Sequence, residues 1–337
     1  MPVSVALVGA DQGGKSTLFR ALLGEGGRDG VGMVDVPDER VTRLADTVQP
    51  KKVVHAQVRV ADAPLGSRAQ RIAAAREADV VVEVVRCFGP DQDPVGELEG
   101  LEVDLAATDL TSVTKRLEAV EKEERVGRKH APGESDVLRR ARQHLDGGAV
   151  LRTLDLSPEE REHLAPLFPV SLRPTVIVAS VGDDSLPDGG EGARKVLAYA
   201  TAQGCEAVVV AAQLEAELRE LDEAEADEMR GSYGLKEGSL AALARAVWRA
   251  GGLITYFTAG EPEVRAWPCP HDALAPVAAG VIHSDFEKHF IRAEVTSVDE
   301  LVGAGSMDTL RAQGKLRLEG RDYAVQDGDV LFFRVGR

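Results

Sequence analysis

Eight residues near the start of the chain, Gly9-Ala10-Asp11-Gln12-Gly13-Gly14-Lys15-Ser16, follow the spacing G-x-x-x-x-G-K-[ST]. Those residue types in that order suit the holding of nucleoside triphosphate phosphates. Glycines let backbone N–H groups turn inward around the β-phosphate, and a helix starting behind them adds positive potential. Lys15 is spaced to reach the β and γ oxygens, which makes it the candidate catalytic residue, and the Ser16 hydroxyl is a candidate magnesium ligand. Gln12, Gly13, Gly14 and Thr17 complete the candidate nucleotide contacts. Gln12 can approach a phosphate or a monovalent cation, or stand as an ordinary solvated loop residue. The competing reading of the whole segment is a plain glycine-rich turn.

Magnesium also needs an acidic residue at the end of a neighbouring strand. Val54, Ala56, Val58 and Val60 alternate with His55, Gln57, Arg59 and Ala61 before Asp62-Ala63-Pro64-Leu65-Gly66 breaks the pattern. Asp62 is therefore the second candidate metal ligand. A strand-terminal Asp can also serve only as a cap or turn former.

The elements that must position these groups follow from the apolar runs. Val3 to Val8 reads as a strand and Thr17 to Leu23 as the helix after the loop. Val31 to Val36, Ala56 to Ala61, Val80 to Val85, Thr175 to Ser180 and Ala207 to Ala212 read as further strands, with helical segments between several of them. That alternation predicts an α/β fold with a doubly wound, mostly parallel sheet. Leu110, Val113, Leu117 and Val120 recur at spacings of three and four, the seam of an antiparallel, coiled-coil-like helical pair that returns through Val137 to Leu145. Glu118 to Lys122 and Glu121 to Arg125 are spaced for pairs along that helix. Ser157-Pro158-Glu159-Glu160 reads as a capping box. After Gly251-Gly252 short strand-like runs alternate with turns and end in 315–318, 323–325 and 330–333, which predicts a small β-rich domain.

A length of 337 residues favours two or three domains. No run of about 18 apolar residues suggests a membrane span, and the N-terminus lacks the form of a secretory signal, so a cytoplasmic protein is expected. Cys87, Cys205 and Cys269 are dispersed without a C-x-x-C pair, which argues against disulfides or structural zinc. A formal charge of −16 speaks against DNA or indiscriminate nucleic-acid binding.

Further motifs point to a family. Gly14-Lys15-Ser16-Thr17-Leu18-Phe19, Val36-Pro37-Asp38-Glu39-Arg40, Pro50-Lys51-Lys52-Val53-Val54, Val84-Val85-Arg86-Cys87-Phe88 and Leu214-Glu215-Ala216-Glu217-Leu218 are joined near the C-terminus by Leu253-Ile254-Thr255-Tyr256-Phe257-Thr258-Ala259-Gly260, Glu263-Val264-Arg265-Ala266-Trp267 and Ala278-Ala279-Gly280-Val281-Ile282-His283-Ser284-Asp285-Phe286. The chain resembles the Obg-like ATPase family, YchF type, over nearly its full length. The resemblance implies a P-loop G domain split into 1–92 and 167–252, a helical insert at 93–166, and a ubiquitin-like β-grasp TGS domain at 253–337. It also implies ATP or GTP as ligand, magnesium as cofactor and ribosomes or ribosomal RNA as partner. The expected protein is a monomeric purine-nucleotide-binding regulator of translation or stress. The alternative is a non-hydrolysing member that serves as a binding module.

The base-recognition position is taken by Ser180-Val181-Gly182-Asp183, so Ser180, Val181 and Asp183 are the candidate base contacts, with Ser where the family carries Asn. Ala211-Ala212-Gln213-Leu214 stands at the last base-side motif, where support is expected mainly from backbone. The interval Gly24–Gly30 lacks the family's switch Thr, and the second switch is cut to Asp62–Ser67 before a helix expected at Arg68–Ala78. The segment after Phe88 lacks the family's histidine. Binding with weak hydrolysis is the expectation, because phosphoryl transfer depends on positioning and charge neutralisation.

Two other clusters have competing readings. His283, Asp285 and His289 suggest either a metal site or, as the resemblance favours, a structural turn. Arg125, Arg128, Lys129, Arg139, Arg140 and Arg142 form either a solvated helical face or an RNA contact.

Overall fold

A computed structural model describes residues 3–24, 30–62, 71–73, 75–90, 92–126 and 131–336. In chain order the elements begin with β1 (Val3–Gly9), α1 (Lys15–Leu23), β2 (Val31–Val36), α2 (Glu39–Val48), β3 (Val53–Val54), β4 (Ala56–Asp62) and β5 (Val80–Arg86). They continue with α3 (Pro94–Arg125), α4 (Glu134–Asp146), α5 (Pro158–Leu164), β6 (Thr175–Ser180), α6 (Gly190–Ala202), β7 (Glu206–Val210), α7 (Ala212–Leu218), α8 (Glu223–Ser232) and α9 (Ser239–Ala250). The rest are β8 (Leu253–Ala259), β9 (Val264–Pro270), α10 (Ala275–Ile282), α11 (Ser284–Lys288), β10 (Phe290–Ser297), α12 (Val298–Ala304), α13 (Met307–Ala312), β11 (Arg317–Glu319) and β12 (Asp329–Val335). The chain forms two compact units, a larger one of Ser4–Met33 with Arg59–Ala250, and a smaller one of Met1–Val3, Val34–Val58 and Gly251–Arg337.

The strand order that carries the larger unit is β2-β4-β1-β5-β6-β7. β1, β5, β6 and β7 pair in parallel. Every residue of β6 is buried, which is why its middle, Val176 to Ala179, is continuously apolar instead of alternating. The strand edges match the sequence reading closely, except that the last strand ends at Val210 and Ala212 opens α7. Of the helix expected at Arg68–Ala78, residues 68–70 and 74 lie outside the described set, and Ala75–Glu77 forms a 3₁₀ turn.

Between β5 and β6 runs one long helix with returning partners. Leu101 and Leu105 of α3 pack with Ala6, Val8 and Val81 of the sheet, while Val113, Leu117 and Val120 further along pack with Val137, Leu138, Ala141 and Leu145 of α4. A single rigid helix thus joins the sheet core to the helical pair, and all of 93–166 falls in the larger unit. Asp109, fully buried, accepts from the backbone N–H groups of Val170 (3.0 Å) and Ser171 (2.7 Å) and pins the chain where it returns to β6. The capping box forms as expected, with Ser157 Oγ accepting from Glu160 N and Glu160 Oε2 from Ser157 N. Glu121 reaches across to Arg139 of α4 at 3.3 Å instead of along to Arg125.

The smaller unit holds a second sheet, ordered β11-β10-β12-β8-β9-β3. β8 and β9 are an antiparallel hairpin, β12 runs parallel to β8, and Tyr256 Oη donates to the Ala278 carbonyl of α10 at 2.8 Å. Residues 323–325 form only a single bridge, Leu274↔Ala324, instead of a strand, made by Val325 N–H donating to the Ala273 carbonyl and Ala275 N–H to the Tyr323 carbonyl. Residues 34–58, which the sequence reading assigned to the nucleotide domain, cluster here. The cause is local: β3 pairs parallel with β9, and Arg40 of α2 lies 5.0 Å over the Phe257 ring while bonding Asp38 (2.7 Å) and Asp327 (2.6 Å).

Candidate nucleotide site

The phosphate loop leaves β1 at its carboxyl end, where open α/β sheets take ligands. Its glycines have distinct roles. Gly9 has φ 152°, and a Cβ there would stand 2.2 Å from the Val84 carbonyl of β5, so the first glycine is required by the close approach of two strands. Gly14 has φ 93°, and its Cβ would stand 2.6 Å from Ser180 Oγ and 3.9 Å from the Phe88 ring. The loop is therefore shaped against β5 and the end of β6 as well as for a phosphate.

α1 begins at Lys15 with Gly14 as a left-handed cap, no capping side chain and no acidic residue in its first turn. Its first N–H groups have no intrahelical acceptors, and the helix dipole favours an anion before them. Lys15 Nζ lies back across its loop, donating to the carbonyls of Gly9 (3.0 Å) and Ala10 (2.5 Å). Ser16 and Gln12 are exposed, Thr17 is half-buried and Gly13 is buried. Gln12 adopts φ 63°, a left-handed conformation that fits a tight loop. At the other end of α1, Arg219 donates to the carbonyls of Ala21 (2.9 Å) and Leu22 (2.7 Å), a cation at the negative helix terminus.

Asp62 is the last residue of β4, which neighbours β1 in the sheet. On the other side of the loop Ser180 is buried at the end of β6 beside Gly14, and Asp183, half-buried, opens the following 3₁₀ turn. Val181 is different: its side chain lies in the core at 5% exposure and its N–H donates to the Val210 carbonyl, so neither is offered to a ligand. Gln213 Nε2 stands 3.4 Å from Glu217 on its own helix, consistent with backbone support at that loop.

Sequence reasoning missed two neighbours of the loop. Phe88, quoted only as part of a motif, walls the space beside Gly14 and Gly182. Arg71 brings its guanidinium 2.6 Å from Asp11 of the loop, and no spacing rule links those positions. The shortened switch segments at 25–29 and 63–70 lie outside the described residues, as do Asp91, Arg128 and Lys129.

The remaining clusters resolve simply. His283 Nδ1 accepts from Asp285 N at 3.2 Å as the cap of α11, and no metal-holding group occurs among the described residues. Arg139 pairs with Glu121 and Asp136, and Arg140 with Glu160. No helix among the described residues is long and apolar enough to cross a membrane.

A strand, a glycine-built phosphate loop and a helix N-terminus on a parallel sheet of this order define a P-loop NTPase fold. Comparison with known proteins gives the family. The chain is 34% identical to the "Ribosome-binding ATPase YchF" of Bacillus subtilis over 99% of both chains, and 35% identical to that of Escherichia coli O157:H7 over 99% of both. The solved Schizosaccharomyces pombe YchF GTPase superposes with a TM-score of 0.88 at 26% identity, covering 98% of this chain and 97% of that one. A family model described as YchF-GTPase_C, a protein of unknown function (DUF933), matches residues 253–336. The chain belongs to the YchF family.

Proposed function

We propose that this chain binds a purine nucleoside triphosphate on Gln12, Gly13, Gly14, Lys15, Ser16 and Thr17 and hydrolyses it slowly with magnesium. The observation that carries this reading is the loop geometry, in which glycines at strained, crowded positions precede an uncapped helix N-terminus and a lysine. Lys15 exchanges its bonds to loop carbonyls for phosphate oxygens and holds them in line for displacement. Ser16 and Asp62 are hard oxygen donors of the kind magnesium takes, and the metal would offset charge on the β and γ oxygens. Ser180 and Asp183 stand on the base side, with Phe88 as an apolar wall. A hydroxyl offers one donor where an amide offers donor and acceptor together, so discrimination between ATP and GTP is expected to be weak. The names of the relatives, ATPase in one case and GTPase in another, fit a site with that latitude.

The same reading makes 93–166 a helical insert on a split nucleotide domain, and 253–337 a TGS β-grasp module. Support for the module is the order β10-β12-β8-β9 with α10 on the sheet. The relatives' name supports a cytoplasmic role in association with ribosomes.

The test is calorimetric titration of the nucleotide-stripped protein with non-hydrolysable ATP and GTP analogues in magnesium, together with turnover assays. Lys15→Ala should abolish measurable binding and lower turnover by about 100-fold or more, the scale for removing a preorganised charge-stabilising group. Equal binding by wild type and variant would overturn the assignment. Binding without turnover above a blank would move the function to a non-hydrolysing binding module.

A further inference from the structure

At the amino-terminal edge of the larger unit's sheet lies a cavity of about 280 Å³ lined by Arg152, Arg161, Arg173, Gln203, Cys205 and Glu206, among other residues. Thr175, the first residue of β6, is on its wall, whereas Ser180 at the end of the same strand faces the phosphate loop. Five residue steps along a strand separate the two places by roughly 16 Å.

Two guanidiniums here keep a buried Nε–H without an acceptor among the described residues. The Arg152 side chain is 10% exposed and bonds Glu83 (3.2 Å) and Glu102, yet its Nε–H has no acceptor among the described residues. Arg173 donates through Nη2 to the Arg76 carbonyl at 2.8 Å, and its buried Nε–H likewise has no acceptor. A buried donor left unmade costs about 1–3 kcal/mol, and both of these side chains line the one cavity. Charge points the same way. Glu206 is taken by Arg249 at 2.8 and 3.0 Å, while Arg161 and Arg173 have no ion pair among the described residues, in a chain of net charge −16.

We propose that this cavity is an anion site for a small phosphate-bearing molecule, separate from the nucleotide loop. Arginines lining it from the segment before α5, from α5 and from the approach to β6 suit the several acceptor oxygens of a phosphate better than the single plane of a carboxylate. The volume is at the low end of small-molecule pockets, which limits the occupant to about the size of a nucleoside monophosphate.

Cys205 provides an internal reporter. It is half-buried on the cavity wall, whereas Cys87 and Cys269 are buried; burial raises all three thiols, those of Cys87 and Cys269 to about 12. The experiment is alkylation of Cys205 in the full chain at mildly alkaline pH, followed by mass spectrometry, with and without inorganic pyrophosphate. At about ten times its dissociation constant, pyrophosphate should slow labelling roughly ten-fold by mass action. Protection should persist in Lys15→Ala, which disables the nucleotide loop, and should be lost in Arg173→Ala and in Arg161→Glu. Arg161 is exposed, so its replacement leaves packing intact, and unchanged melting temperatures without ligand verify the fold. A labelling rate indifferent to pyrophosphate, protection that survives both arginine variants, or protection lost with Lys15→Ala would each overturn the proposal. Protection by a single-stranded RNA oligonucleotide but not by pyrophosphate would overturn it in favour of RNA.

Discussion

The phosphate loop and the charged cluster behind the same sheet handle charge in opposite ways. The loop is built from consecutive residues, Gly9 to Ser16, and works through backbone N–H groups, a helix terminus and one lysine. The cluster is built from side chains far apart in the chain: Glu83 on β5, Glu102 on α3, Arg152 before α5 and Tyr199 on α6. Arg152 bonds both carboxylates, and Tyr199 Oη donates to Glu102 at 2.8 Å. A site made of backbone demands the absence of side chains and therefore fixes glycines. A site made of side chains demands mutual satisfaction and fixes partners.

The comparison breaks first at Arg152. Removing one member of a buried charge cluster leaves the others uncompensated, so Arg152→Met should lower unfolding free energy by about 3–5 kcal/mol near pH 8, measured by denaturant titration. The loss should shrink near pH 5, because burial raises the Glu83 carboxyl to about 7 and at pH 5 it is neutral in the fold. A loss under about 1 kcal/mol at pH 8 would mean the cluster is solvated and the contrast with the loop is false.

The loop side of the comparison is tested at its first glycine. Gly9→Ala would place a methyl carbon 2.2 Å from a backbone oxygen that cannot rotate away, so β1 and β5 must part. Overpacking of this kind typically costs 1–3 kcal/mol, and about 2 kcal/mol is expected here, with weaker nucleotide binding by calorimetry. Unchanged stability would show that Gly9 is needed only for phosphate approach.

These contrasts explain what could be read in advance. The parallel strands were legible because β5, β6 and their neighbours are apolar on both faces, and the loop because its residues are contiguous. Asp62 could be placed at a strand end from alternation alone. By contrast, Glu83 sits in the middle of an apolar strand whose pattern hides it, and Arg152 lies 69 residues away. Val181 occupied the right position in a tetrapeptide yet packs in the core with Val85, Ile177 and Ala193, a tertiary contact that the tetrapeptide does not disclose. Residues 34–58 read as part of the nucleotide domain by chain order, and only the pairing of β3 with β9 and the bonds of Arg40 reveal the other allegiance.

Glu83 gives the smallest and most diagnostic effect. Burial is the main cause of its raised carboxyl, opposed by Arg152 and reinforced by Glu102. The folded state therefore holds a proton that the unfolded chain, with an ordinary glutamate near 4.5, releases first. By linkage, this residue's contribution to stability is greatest below about pH 4.5 and declines as pH rises towards about 7. Glu83→Gln keeps the shape and removes the titration, so its unfolding free energy should vary less than that of the wild type across that window. Relative to wild type the variant should gain stability as pH rises from about 4.5 to 8, where the wild type must ionise a buried carboxyl. Parallel profiles from pH 4.5 to 8 would show that Arg152 holds Glu83 ionised throughout, making the cluster a fixed ion pair, as unresponsive to pH in this range as the backbone of the phosphate loop.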